Sequence, residues 1–260
     1  MSIKWAKYKP IMSIKTILNY SPNFDKKKRD SKKIRFLIFH YTGMNKESEA
    51  ISRLTDIKSE VSSHYLIKNN GQIITLVPEL YIAWHSGVSF WKNYQSLNKN
   101  SIGIEISNPG HNFRYKNFSK KQINSILLLS KYLIKKYKIK PQNILGHSDI
   151  APNRKKDPGE KFPWEYLSKQ KVGFWHKLDK KKLVKFRNLK INISKEKLFY
   201  KNILKIGYSE KNFKNSKISK VYYAKILTKA FQRRFRPELI NGKIDLECLF
   251  ISQNLAKKLN

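Results

Sequence analysis

Residues 144–164, ILGHSDIAPNRKKDPGEKFPW, set the first limit on the fold. The stretch has neither the 3.6-residue period of a helix nor the alternation of a strand, so the rest of the chain must hold it in place. It gathers His147, Asp149, Asp157 and the basic cluster Arg154-Lys155-Lys156 around two Pro-containing turns, and closes on the apolar anchors Phe162 and Trp164. Loops that use proline and glycine to fix polar side chains commonly carry function. His147 and Asp157 are candidate ligands for a borderline metal such as zinc, whose catalytic sites take three protein ligands and keep one position open. The candidate third ligand is His40, directly after the apolar run 34–39 (IRFLIF).

The flanking pattern is that of an α/β chain. The run 34–39 reads as a buried strand. Segments 61–67 and 72–77 flank Asn69-Asn70-Gly71, a hairpin signal, and 47–54 reads as a short helix. Residues 101–107 (SIGIEIS) alternate, with Ile102, Ile104 and Ile106 on one face and Gly103 and Glu105 on the other. Ser119 caps an amphipathic helix that carries Ile123, Ile126, Leu127, Leu133, Ile134 and Tyr137 on one stripe and stops before Pro141. Strands interleaved with helices predict a mixed central β-sheet flanked by helices.

Texture changes after residue 180. The charge-dense stretch 181–193 reads as a basic linker, and three helical segments follow at 194–206, 222–235 and 245–259. Their apolar stripes predict a small all-α three-helix domain over 194–260. The catalytic part is then 1–180, with an N-terminal arm over 1–30.

Bulk composition excludes some classes. The single Cys248 rules out an internal disulfide framework and a cysteine-rich metal site. No apolar run reaches the length of a transmembrane segment. The first residues lack a continuous apolar h-region, a cleavage site and a lipidatable cysteine, which makes a cytoplasmic location the default expectation and the periplasm or cell envelope the alternative. The formal charge of +37, from 55 Lys+Arg against 18 Asp+Glu, suits a polyanionic partner. Because the basic residues are spread along the whole chain, it equally suits a general compositional bias.

In this order, SPNFD, FLIFHYTGM, VSSHYLIKNNGQI, AWHSG, SIGIEISNPG and LGHSDIAPNRKKDPGEKFPW resemble the zinc-dependent N-acetylmuramoyl-L-alanine amidases of the type 2 (AmpD/AmiD-like) family, over residues 21–175. LKIGY, KAFQRRF and NGKID in the tail resemble the three-helix peptidoglycan-binding domain. The resemblance implies hydrolysis of the amide between N-acetylmuramic acid and L-alanine in peptidoglycan or muropeptides. It implies Zn2+ on His40, His147 and Asp157, with His64 and His85 as rival ligands. It assigns Glu105 as general base and Lys155 as stabiliser of the oxyanion. Where related phage-type amidases carry an assisting tyrosine, this chain has Ser63, which shifts the burden onto Glu105.

His64, Trp84, His85 and Asn108 are the candidate substrate-binding residues, whereas His111 and His176 match no motif and read as surface residues. Two other function classes fit parts of the sequence. One is a non-catalytic peptidoglycan recognition protein. The other is a basic nucleic-acid-binding protein, with residues 232–236 (QRRFR) as its recognition helix. No specific nucleic-acid partner is expected, and oligomeric state is not legible.

Overall fold

Successive side chains of a strand point to opposite faces of its sheet, and in Phe36–Tyr41 both sets are apolar: Phe36 and Ile38 one way, Leu37 and Phe39 the other. Such a strand needs cover on both faces. The computed structural model, which describes residues 14–211 and 218–259, provides it. Its strands are β1 (Ile17–Leu18), β2 (Phe24–Asp25), β3 (Phe36–Tyr41), β4 (Tyr65–Ile67), β5 (Ile73–Thr75), β6 (Ile82–Ala83), β7 (Phe90–Trp91), β8 (Tyr94–Gln95), β9 (Ser101–Ile106) and β10 (Ile144–Gly146). Six form one mixed sheet in the order β1-β5-β4-β9-β3-β10, parallel except for the β4–β5 hairpin. Of the N-terminal arm expected over 1–30, residues 1–13 lie outside the described residues; the remainder supplies β1 at the sheet edge and β2 paired with β6.

One face is covered by the long helix. After α1 (Glu47–Thr55), α2 (Lys120–Tyr137) starts at Ser119, whose hydroxyl accepts from the Gln122 N–H while the Gln122 side chain accepts from the Ser119 N–H. This reciprocal cap satisfies two donors that the first turn leaves open. Ile126, Leu129 and Leu133 then pack with Leu37, Phe39, Ile102, Ile104 and Ile106, each fully buried apolar side chain contributing about 1.5–3 kcal/mol.

The other face is covered by the C-terminal helices. Helices α3 (His147–Ile150), α4 (Trp164–Lys169) and α5 (Lys180–Val184) lead to α6 (Ile193–Ile206), α7 (Lys220–Phe235) and α8 (Leu246–Lys257). Phe199, Ile203, Ile206, Leu227, Phe231 and Leu255 of the last three share a single core with Phe36, Ile38, Leu145 and Ile150. The three helices expected over 194–260 are present, but their apolar faces close on the sheet as well as on each other. The stretch 181–193, expected to be a linker, overlaps α5, and its Leu183 is buried in that same core.

Residues 232–236 do not form an exposed recognition helix. Arg234 and Arg236 are 3% and 1% exposed. Arg236 donates to Asp245 (2.7 Å) and Glu247 (3.3 Å), and Arg234 to Asp149. Guanidinium groups committed to buried carboxylates are not available to phosphates, which removes the recognition helix from the nucleic-acid reading and leaves it the net charge alone. Among the described residues, no helix is long and apolar enough to cross a membrane.

Candidate active site

The parallel pairing of β3 with β9 puts His40 directly opposite Glu105, both at the C-terminal end of their strands. Side-chain alternation buries Phe39 and Ile104 and turns His40 and Glu105 into a cavity of about 480 Å³. The segment after β10 supplies the rest of its wall: His147, Arg154, Lys155, Lys156 and Asp157.

His40, His147 and Asp157 converge inside this cavity. Nδ1 of His40 lies 2.9 Å from Nδ1 of His147 and 3.0 Å from Oδ2 of Asp157, and His147 Nδ1 lies 3.1 Å from the same oxygen. All three residues are buried, and among the described residues they are the group able to hold a metal ion.

The surrounding contacts orient both rings. His147 Nε2 faces the Ser86 carbonyl at 3.1 Å and lies 3.5 Å from Nη2 of Arg154, so its Nδ1 is the nitrogen turned to His40 and Asp157. The Ser101 hydroxyl donates to the Leu97 carbonyl (2.6 Å) and therefore accepts from His85 Nε2 (3.1 Å). His85 Nδ1 is then an acceptor for His40 Nε2–H at 3.0 Å, and His40 Nδ1 is a bare lone pair. Burial, followed by the neighbouring His147, pushes the His40 pKa down to about 4, so the ring is neutral at neutral pH. Two ring nitrogens and a carboxylate oxygen thus meet within about 3.1 Å of one another, and two imidazoles with one carboxylate are a donor set suited to zinc. The residues fit the metal.

Glu105 adds a proton acceptor. Its Oε2 is buried without a hydrogen-bond partner. Burial and then the Asp157 charge raise its pKa well above the usual carboxylate range, while Lys155 opposes the shift. The Lys155 ammonium lines the cavity and is close enough for its charge to act on both Glu105 and His40. Arg154 also lines the cavity, with Nη2 3.5 Å from His147 Nε2. Its guanidinium donates to the carbonyls of Ser86 and Val88 and ties the 146–157 segment to the 84–88 loop.

The residues expected at the substrate divide. Trp84 lines the cavity, and its Nε1 donates to Asp25 at 2.7 Å, which gives the SPNFD motif a structural task. His85 also lines the cavity but lies behind His40. His64 is fully buried outside the cavity: its Nδ1 accepts from the Gly103 N–H at 3.0 Å, and its Nε2 meets the Tyr81 carbonyl at 3.1 Å. It supports strand β9, lies 2.9 Å from Nη2 of Arg29 through Nε2, and is not among the cavity walls. Asn108 likewise braces its own loop, donating to the Lys116 carbonyl (2.9 Å) and accepting from the Gly110 N–H (3.1 Å). Ser63 is fully buried and not among the cavity walls.

Two expectations are corrected in the other direction. His111 lines the cavity; its Nδ1 accepts from the Tyr41 hydroxyl at 2.9 Å, and its Nε2 meets Glu160 at 2.9 Å. His176 is half-buried and stacks on Trp175 with ring centroids 5.0 Å apart. Nothing in the sequence around His111 announces its place, because Tyr41 and Glu160 are 70 and 49 residues away.

Residues 30–160 match the family described as N-acetylmuramoyl-L-alanine amidase. N-acetylmuramoyl-L-alanine amidase AmiD of Escherichia coli K12 is 34% identical over 238 residues, which cover 87% of this chain and 83% of that protein. The 1,6-anhydro-N-acetylmuramyl-L-alanine amidase AmpD of Haemophilus influenzae is 34% identical over 58% of this chain and 90% of its own. In structure, the chain is similar to the E. coli AmiD complex with anhydro-N-acetylmuramic acid-L-Ala-D-gamma-Glu-L-Lys, with a TM-score of 0.74, 34% identity and coverage of 87% and 90%. It is equally similar to AmpDh3 from Pseudomonas aeruginosa in complex with anhydromuramic pentapeptide, with a TM-score of 0.74, 29% identity and coverage of 98% and 99%.

Proposed function

The chain belongs to the N-acetylmuramoyl-L-alanine amidase family, and we propose that it hydrolyses the amide joining N-acetylmuramic acid to L-alanine in muropeptides through a zinc site on His40, His147 and Asp157. The observation that carries this reading is the meeting of two imidazole nitrogens and a carboxylate oxygen beside Glu105, whose buried Oε2 has no partner. Bound zinc supplies a Lewis acid that polarises the scissile carbonyl and acidifies the attacking water.

The chain's own residues do the rest. Glu105 takes the proton of the attacking water and returns it to the departing alanine nitrogen, a task suited to a carboxylate whose proton affinity is raised. Lys155 places an ammonium against the oxyanion as it develops. Trp84 and the Tyr41–His111 pair form parts of the cavity wall and orient the substrate. A purely binding role would not call for a buried, unpartnered carboxylate beside the metal donors, so we favour turnover over non-catalytic recognition.

The division into a catalytic part over 1–180, a connector over 181–193 and a helical unit over 194–260 is kept in the proposal as a division of tasks, not of separately folding units, since all three share one core. In it the outward, basic side of the helical unit faces the wall polymer, whose stem peptides carry carboxylates. A cytoplasmic enzyme would meet soluble anhydromuropeptides, and an enzyme in the envelope would meet the sacculus; fractionation separates the two.

Incubation with an anhydromuramyl tripeptide, followed by mass spectrometry, tests the reaction. Free tripeptide should appear, a chelator should stop its release, and added zinc should restore it. A zinc-loaded protein that binds the muropeptide and leaves it intact would overturn the enzymatic reading in favour of recognition.

A further inference from the structure

Asp149 follows His147 by two residues in the same short helix, yet its side chain points away from the cavity. It is 1% exposed and faces the C-terminal helices. Its Oδ1 accepts from the Tyr208 hydroxyl at 2.7 Å. Its Oδ2 accepts from the Gly146 N–H at 2.8 Å and from Nη1 of Arg234. Nη2 of Arg234 donates to the Ile144 carbonyl at 2.9 Å, and the guanidinium lies 4.2 Å over the Trp164 ring. Tyr208 is itself seated on Trp91, with ring centroids 5.0 Å apart.

These contacts surround the backbone that carries His147. Gly146 is the residue before α3, and Asp149 closes its first turn by accepting the Gly146 N–H. The Ser148 N–H donates to the Asp157 carbonyl at 2.8 Å, which couples the two loop ligands through the main chain. The direction of the His147 side chain is thus set by a turn whose outer side is held by two residues 59 and 85 positions further along the chain than Asp149. A buried carboxylate so close to a ligand holds one geometry only while its acceptor sites are filled, and Tyr208 and Arg234 fill them.

We propose that Tyr208 and Arg234 are positioning residues of the metal site, acting through Asp149 and the Ile144 carbonyl to hold segment 144–149 in the register that His147 needs. The C-terminal helices then do more than bind a polymer: metal affinity depends on their being docked. The inference rests on the reading of His40, His147 and Asp157 as zinc ligands.

The test uses the full chain with Tyr208→Phe, which keeps the ring against Trp91 and removes one hydrogen bond, and with the neutral pair Asp149→Asn/Arg234→Gln. Zinc affinity by chelator competition, the visible absorption of the cobalt-substituted protein, and amide exchange of residues 144–149 in the metal-free protein are compared with wild type. Zinc should bind about tenfold more weakly in Tyr208→Phe and up to about a hundredfold more weakly in the pair, the range seen when supports behind metal ligands are removed. The cobalt bands should shift, and exchange should rise at Gly146 and Ser148 while β9 stays protected. A lowered melting temperature with unchanged zinc affinity, cobalt spectrum and local exchange would make the contact purely structural and overturn the proposal. If the pair fails to fold, Tyr208→Phe decides alone by the same readouts. Wild-type protein that takes up no zinc would instead sink the metal-site reading itself.

Discussion

Nε2 of His40 donates to Nδ1 of His85 across 3.0 Å. This places His85 behind a proposed metal ligand, where its own Nε2–H is anchored on Ser101 and, through it, on the Leu97 carbonyl. The same loop serves the second proposed ligand, since the Ser86 carbonyl faces His147 Nε2. The relay also explains a glycine in strand β9. A Cβ on Gly103 would lie 2.5 Å from His85 Cγ, so no larger residue leaves room for the ring.

Replacing His85 by Ala removes the acceptor that fixes the His40 tautomer. Zinc affinity should fall about 10- to 100-fold, read by competition with a chromogenic chelator. If the KM for muropeptide rises while zinc affinity holds, His85 is a substrate contact after all.

Glu105→Gln separates chemistry from metal binding. The amide has nearly the same shape but cannot take the proton of water, so zinc should stay bound while turnover falls by about 10²–10⁴. His40→Ala, His147→Ala and Asp157→Ala should lose zinc and turnover together. Elemental analysis alongside a muropeptide assay distinguishes the two patterns, and near-normal turnover in Glu105→Gln would assign the base elsewhere.

Acid should destabilise the protein through His64. Burial, then the Arg29 charge, holds its pKa well below the usual 6.5, and its Nδ1 is already committed to the Gly103 N–H. The unfolded chain therefore takes up the proton first as pH falls below about 6.5, and stability declines from there by up to about 1.4 kcal/mol per pH unit for that group. His176, lowered to about 4 mainly by burial, acts in the same sense over 6.5 to 4. Denaturant midpoints of the metal-free protein between pH 7 and 5 should fall less steeply in His64→Gln than in wild type. Equal slopes would trace the acid sensitivity to other groups.

A chain ended after Lys190 should not behave as a free-standing enzyme. It would expose Phe36, Ile38, Leu145 and Ile150, at about 1.5–3 kcal/mol each, and leave Asp149 without Arg234, a loss of about 3–5 kcal/mol for a broken buried pair. Against a total stability of about 5–15 kcal/mol, that is enough to unfold or aggregate it. Thermal melting and dye binding to exposed apolar surface measure the outcome. A soluble, cooperatively melting product with an intact zinc site would show instead that the sheet face tolerates exposure.

Local pattern located the principal elements of this protein. Alternation in 101–107 put Glu105 opposite the isoleucines, the Ser119 cap located α2, and the apolar stripes located the three C-terminal helices, because each of these signals lies within one or two turns of backbone. The ordered motifs gave the family and, with it, the expected ligand set. The tertiary structure decided what those elements pack against and which histidines share a cavity. The doubly apolar run 34–39 signals cover on both faces but not its source, and the cover turned out to be the C-terminal helices. Arg234 and Arg236 look like solvated charge in a chain of +37, yet they are buried because Asp149, Asp245 and Glu247 meet them. His64, His85 and His111 are alike as letters, and their tasks differ through partners 39, 45 and 70 residues away. Hydrogen bonding and burial act over a few ångströms of space, whereas a sequence records separation along the chain; only folding converts one into the other.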